Sequence, residues 1–383
     1  MVAEARIKGW CPGGWRPMAS GDGLLVRVRP FHGRLTRDQA LALCDAADTY
    51  GSGQIQLTNR ANLQLRGVSE SDWPALLEAL AGHELVDPDQ EAESRRNLIL
   101  APDWEPGDDT DRAGDAFIEQ MAKLPALPDK VGFALDAGPA PILADTSADF
   151  RLERTAEGAL MVRADGYARG LPVPDVTEAV TQLIALAQWF VDSGGAAAGR
   201  MCRHRAPLPD WARPTVSPAP ARTPLALGAY PAGQVYGLPF GRTQTTELRA
   251  ALAPASVTGV RVTPWRRLLV EGVEPGLIPG LLSDHRDPRL SVDACPGAPA
   301  CEQAHVATEA LAERLSGRVR GNLHVSGCDK GCARRQPAEV CLRGREGRFD
   351  VILNGRADGE PAAVGLSEDD VIEYLENRNA SRL

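Results

Sequence analysis

LTNRANLQLRGV, residues 57–68, recurs in altered form as VTPWRRLLVEGV, residues 262–273. Thr58 falls on Thr263, Leu63 on Leu268, Gly67 on Gly272 and Val68 on Val273, all at an offset of 205 residues. Each stretch reads as two short strands around a turn. The flanks carry a pattern of their own. GDGLLVRVRP (21–30) reads as a strand with Leu25, Arg27 and Arg29 on one face. LTRDQALALCDAADTYG (35–51) reads as an amphipathic helix with Thr36 as N-cap and Gly51 as stop. SESDWPALLEALAG (69–82) reads as a second helix, capped by Ser69 or Ser71. A similar unit occupies 232–282, so the chain reads as an internal duplication. A longer segment follows each copy. Between the halves, APLPDWARPTVSPAPARTP (206–224) reads as an ordered or semi-rigid connector, because proline prevents regular secondary structure.

The chain has 383 residues, too many for one compact core and suited to two or three domains. A formal net charge of -9 argues against nucleic acid or an anionic membrane surface as partner. No run approaches the apolar length of a membrane span. MVAEARIKGWCPGG, at the N-terminus, lacks the apolar core of a signal peptide. The expectation is a cytoplasmic protein, in which grouped cysteines hold a metal more often than a disulfide.

Of eight cysteines, four are grouped: Cys295 and Cys301 in VDACPGAPACEQA, Cys328 and Cys332 in HVSGCDKGCARR. The spacing is C-x5-C, 26 residues, C-x3-C. Thiolates select zinc, copper(I) or iron–sulfur clusters. Structural zinc prefers shorter knuckles than C-x5-C, whereas a four-cysteine [4Fe–4S] site tolerates longer arms. Gly297, Gly327 and Gly331 would let the backbone pass close to a bulky inorganic core. Cys44 and Cys341 read as core packing, and Cys11 in GWCPGGWRP is left open.

C-x5-C followed by SGC-x3-C resembles the cluster motif of the nitrite and sulfite reductase family, and the resemblance covers nearly the whole chain. It includes the duplication, the LTNR turn, Arg96–Asn97 in SRRNLIL and Lys130 in LPDKVGF. It implies an α+β fold of duplicated ferredoxin-like halves paired about a pseudo-two-fold axis, with two further α/β domains, one carrying a [4Fe–4S] cluster. On this chain the halves would be 15–82 and 228–285, the α/β domains 88–212 and 286–383, and the connector 206–227. Cys295, Cys301, Cys328 and Cys332 would be the cluster ligands, and in the reductases the cysteine matching Cys332 bridges to the sirohaem iron.

The chain departs from the reductases at LP-x-K-x-K, where their second lysine is Gly132, and at CPNGC, which here is CDKGC. The opening CPGGWRPMASGDGLLVRVRP and the LTNRANLQLRGV run are more similar to the cobalamin-pathway branch. That branch implies an oxygen-dependent hydroxylation of precorrin-3A with lactone formation. O2 and an electron donor, NADH-linked or ferredoxin-like, would be the co-reactants, and a mononuclear non-haem iron would accompany the cluster. Gly132 would open space above the ring plane. Two alternatives stand: a sirohaem-dependent nitrite or sulfite reductase, and a non-catalytic electron-transfer or tetrapyrrole-binding protein.

A ligand with many carboxylates needs many charge-assisted partners. The resemblance puts Arg29, Arg60, Arg96, Asn97 and Lys130 nearest the macrocycle, with Asn62 and Gln64 as further candidates. Arg27 shares the strand face of Arg29, and Arg66 frames the LTNR turn with Arg60. Lys330 reads equally as a ligand contact or a solvated loop lysine. Cys202 and His204, among the arginines of GRMCRHRAP, form a weak candidate pair for a mononuclear iron, and no catalytic residue is assigned.

Overall fold

The computed structural model describes residues 11–380. Most of the N-terminal stretch read for a leader lies outside them. The described residues form four five-stranded sheets. In the first, the strands Met18–Ser20, Gly23–Val28, Leu63–Val68 and Gln54–Leu57 run in that spatial order. In the second, Gly228–Tyr230, Gly233–Gly237, Arg267–Glu271 and Gly259–Val262 do the same. Each sheet is completed by a three-residue strand from the other half. Arg242–Gln244 pairs with Gln54–Leu57, and Arg34–Thr36 pairs with Gly259–Val262. One hydrophobic core runs through both halves, from Val26 and Leu65 to Val235 and Leu268.

The duplication extends to backbone geometry. Ala61 and Arg266, both at the turn of the repeated stretch, have φ of 52° and 58°. Gly67 and Gly272 have φ of 73° and 72°. Thr58 Oγ1 accepts from the N–H groups of Arg60 and Asn62 at 3.2 and 3.1 Å. Thr263 Oγ1 accepts from Trp265 N–H at 3.3 Å and donates to the Arg267 carbonyl at 2.8 Å. The shared threonine thus caps the same tight turn twice, by the local side-chain bonding that threonine favours.

The first helix, Arg37–Tyr50, begins on Thr36 with a reciprocal capping box to Gln39. The next, Trp73–Gly82, starts later than its sequence suggests. Pro74 sits in its first turn, and Ser69 instead accepts from Asp72 N–H in the preceding turn. The second half has no matching helix, because VEPGLIPG carries a proline or glycine every few residues.

The other two sheets also match each other. Leu98–Leu100, Phe133–Leu135 and Phe150–Arg154 are parallel, and Leu160–Ala164 and Leu171–Val173 continue antiparallel. Val292–Ala294, Leu323–Ser326 and Ala338–Arg345 are parallel, and Arg348–Gly355 and Ala363–Leu366 continue antiparallel. The Pro-rich connector is laid along the first of these sheets: Val216 N–H bonds the Gly170 carbonyl, and Ala219 N–H bonds that of Arg154. Among the described residues no helix is long and apolar enough to cross a membrane.

Candidate functional site

Two short loops bring the grouped cysteines together. The first leaves the strand Val292–Ala294 and the second leaves its parallel neighbour Leu323–Ser326, so both arms emerge at the same end of one sheet. Gly327 N–H donates to Cys295 Sγ at 3.1 Å, across the two arms. A Cβ on Gly327 would lie 2.6 Å from that of Ala304, so only glycine permits this approach. Cys295 is buried, Cys301 and Cys328 half-buried, Cys332 exposed. Burial pushes the Cys328 thiol up, the Lys330 N–H bond opposes the rise, and Cys332, Cys295 and Cys301 add to it. The Cys332 thiol is raised too, first by desolvation around its sulfur although the residue as a whole is exposed, with Lys330 pulling it back. Four thiols thus lie within one another's field. Yet among the described residues no three His, Cys, Asp or Glu side chains gather as a single metal ion requires. A backbone N–H aimed at sulfur between two cysteine arms is compatible with an inorganic core held by thiolates.

The cationic residues divide into two groups. Arg27, Arg29 and Arg60 face a common space at the first sheet. Arg27 donates to Gln64 Oε1 through Nε and Nη2 at 3.2 and 2.6 Å. Arg60 donates to the Lys130 carbonyl at 3.0 Å, which draws the exposed Lys130 to this side. Burial pulls the Arg27 guanidinium down to about 10, and the charges of Arg29 and Arg60 add to the fall. Arg29 and Arg60 are lowered for the same first reason. The Nε of Arg29 is buried without a partner. Desolvated guanidiniums favour a bound anion, and here Glu93 and Asp149 lie in the fields of Arg29 and Arg60 as partial counter-charges.

Arg66, Arg96 and Asn97 have partners inside the protein. Arg66 grips Asp22 with two bonds of 2.9 Å and also bonds the Ala300 carbonyl, next to Cys301. It therefore ties the first sheet to the cysteine arm. Arg96 is 3% exposed, pairs bidentately with Asp87 at 2.9 and 2.7 Å and stacks on Phe31. Asn97 donates to the Val131 carbonyl at 2.6 Å. Asn62 is buried in the Thr58 turn. Lys330 stands apart, beside Cys332.

Gly132 does not open space. A Cβ there would lie 2.8 Å from Asn97 Nδ2 and 2.9 Å from the Asn97 carbonyl oxygen. The place of a side chain is already filled. Asp149, fully buried, fixes this corner and drew no notice in the sequence, where it precedes an ordinary strand. Its carboxylate accepts from Gly132 N–H at 3.0 Å, Met201 N–H at 2.7 Å and Arg200 Nε at 2.8 Å. Glu93 was equally inconspicuous and accepts from Gly14 and Trp15 N–H at 2.7 and 3.2 Å. The Cys202–His204 pair makes no metal site. Cys202 is exposed, and His204 Nε2 is bonded to Ser193 Oγ at 2.8 Å. His324, fully buried, packs beneath the second cysteine arm near Gly331.

Duplicated five-stranded sheets, an arginine-lined face and two cysteine arms define a protein of the nitrite and sulfite reductase type. Residues 16–83 match the nitrite/sulfite reductase ferredoxin-like half domain. The fold is similar to the structure of Mycobacterium tuberculosis NirA, with a TM-score of 0.59 at 19% identity over 93% of this chain and 80% of that one. A ferredoxin–nitrite reductase of Synechococcus elongatus is 25% identical, over 97% of this chain and 88% of its own. A precorrin-3B synthase of Sinorhizobium sp. is 30% identical, over 94% of this chain and 86% of its own. The chain belongs to the precorrin-3B synthase family.

Proposed function

We propose that the chain catalyses the reaction its Sinorhizobium relative is named for, the oxygen-dependent conversion of precorrin-3A to precorrin-3B. One atom of O2 enters the macrocycle as a hydroxyl at a ring-junction carbon beside ring A. The other leaves as water with two electrons and two protons from a reductant, and the ring A acetate closes a lactone. The observation that carries this reading is the 30% identity across 94% of the chain. Cys295, Cys301, Cys328 and Cys332 would hold a [4Fe–4S] cluster, which supplies electrons singly when bound. Arg27, Arg29, Arg60 and Lys130 would take the carboxylates, with Gln64 holding Arg27 in place, and so fix which face of the macrocycle meets oxygen. Arg66 would keep that face registered against the cysteine arm. Among the described residues no three His, Cys, Asp or Glu side chains gather as ligands for a mononuclear iron. We take the halves to be related by a pseudo-two-fold axis, which their reciprocal strand exchange supports.

A sirohaem-dependent reductase is the competing reading, favoured by the Synechococcus relative. Against it, the second lysine of the reductases is replaced by Gly132, in a corner closed by Asn97. Spectra of protein purified without oxygen separate the two. The synthase reading expects iron–sulfur absorption and an EPR signal on reduction, without sirohaem bands. Sirohaem bands together with sulfite or nitrite turnover would replace it.

A further inference from the structure

The mixed sheet that launches both cysteine arms has two unlike faces. Val292, Leu323, Val325, Val340 and Leu342 turn one face to an apolar core. On the other face Asp293, His324 and Cys341 stand side by side, because Asp293 pairs with His324 and His324 with Cys341 in the parallel register. All three are buried, His324 and Cys341 completely. The loop between Cys328 and Cys332 lies over this row: a Cβ on Gly331 would stand 3.6 Å from His324 Cε1. Asp293 holds Arg266 through one oxygen and Arg334 through the other, the latter at 2.9 Å. Cys341 Sγ lies 3.5 Å from His324 Nδ1. His324 Nε2 is buried without a hydrogen-bond partner among the described residues. An unmet buried polar group costs about 1–3 kcal/mol, and this one lies under the loop that carries two of the grouped cysteines. The proton on that nitrogen follows from its neighbours. Burial pulls the imidazole down to about 4, so the ring is neutral, and pushes the Cys341 thiol up to about 12, so the thiol keeps its proton. A thiol that donates to Nδ1 leaves the ring's single proton on Nε2.

We propose that His324 is a cluster-contact residue, whose Nε2–H donates a hydrogen bond to a sulfur of the cluster held by Cys295, Cys301, Cys328 and Cys332. The inference rests on the cluster reading above and adds the group that tunes it. A hydrogen bond to sulfur strengthens as the cluster gains an electron and negative charge, so His324 raises the reduction potential.

The test uses cluster-loaded protein handled without oxygen. Its midpoint potential is followed by EPR of the reduced cluster during titration with dithionite. His324→Asn keeps a polar group beside Cys341 but falls short of the Nε2 position, whereas His324→Gln carries an amide N–H to it. His324→Asn should weaken the cluster's hold on its electron about tenfold, a fall of about 59 mV for one electron. His324→Gln should recover most of that fall. Equal potentials in wild type and His324→Asn would overturn the proposal and leave Nε2 to a buried water. An equal fall in both variants would overturn it too, as an effect of packing alone. Either result leaves the cluster reading standing, whereas wild-type protein that holds no iron and sulfide would overturn both. Should His324→Asn fail to fold or to load, wild-type protein with heavy nitrogen in its histidine rings decides. Pulsed EPR of the reduced cluster should show coupling to a labelled nitrogen, and the coupling should persist in His305→Gln, which removes the exposed histidine bonded through its N–H to the Gly327 carbonyl. No coupling, or its loss in His305→Gln, would overturn the proposal.

Discussion

Arg60 and Arg96 both flank motifs, yet their surroundings assign them different work. Arg96 sits in a buried bidentate pair with Asp87, so Arg96→Ala should cost about 3–5 kcal/mol of stability, because it strands a buried carboxylate. Chemical denaturation reads this directly. Arg60 donates only to a backbone carbonyl, so Arg60→Ala should change stability by less than about 1 kcal/mol. It should weaken tetrapyrrole binding by about 1.5–3 kcal/mol, the range for a hydrogen bond to a charged group. The reverse pattern would invert the division of the arginines. Sequence could place both beside the macrocycle but could not see that Asp87 lies against Arg96 in the fold.

Two buried groups set opposing pH dependences. Burial holds His324 at about 4, so it stays neutral in the folded chain at pH values where the unfolded chain takes up a proton. Its effect is that stability rises with pH between about 4 and 6.5. Burial raises Asp136 to about 7, so it stays protonated in the folded chain where the unfolded chain ionises, and stability falls with rising pH between about 4 and 7. In the wild type the two slopes oppose each other. Asp136→Asn keeps an acceptor for Ile142 and Leu143 N–H. It should expose the histidine slope, up to about 1.4 kcal/mol per pH unit. His324→Gln should expose the opposite slope. Parallel pH profiles for both variants and wild type would contradict these environments.

At the scale of elements, the repeated stretch was legible because its turn needs a threonine to cap it and its exit needs a glycine. The glycines Gly67 and Gly272 share their φ but differ in what surrounds them. A Cβ on Gly272 would lie 2.2 Å from the Ser256 carbonyl oxygen, while one on Gly67 would lie no closer than 3.2 Å to its neighbours. Gly67→Ala should therefore cost about 1–2 kcal/mol, the left-handed penalty alone, and Gly272→Ala should cost more. Equal denaturation midpoints for the two variants would contradict this difference in surroundings. The exchanged strands Arg34–Thr36 and Arg242–Gln244 were not legible. Three residues show no period, and their partners lie some two hundred residues away in sequence. The matched order of the two mixed sheets was also hidden, because short buried strands carry no alternating pattern.

For the whole molecule, the reciprocal strands, the shared core and the Arg66 bond to the Ala300 carbonyl join an arginine face to a cysteine site. The cysteine grouping was legible in sequence because the four residues fall in two short, regularly spaced arms. The surroundings of the arginines were not, because the partners that commit Arg66 and Arg96 are visible only in the fold. Cys301→Ser should lose most of the iron and acid-labile sulfide. Full retention of both would remove the cluster from the account, as would stoichiometric zinc.

The most direct measurement feeds precorrin-3A and isotopically heavy O2 to the reduced protein and follows product mass. The account predicts a product that has gained a single heavy oxygen atom, with no sulfide or ammonia formed when sulfite or nitrite is supplied instead. Unchanged precorrin-3A alongside robust sulfide or ammonia production would contradict it.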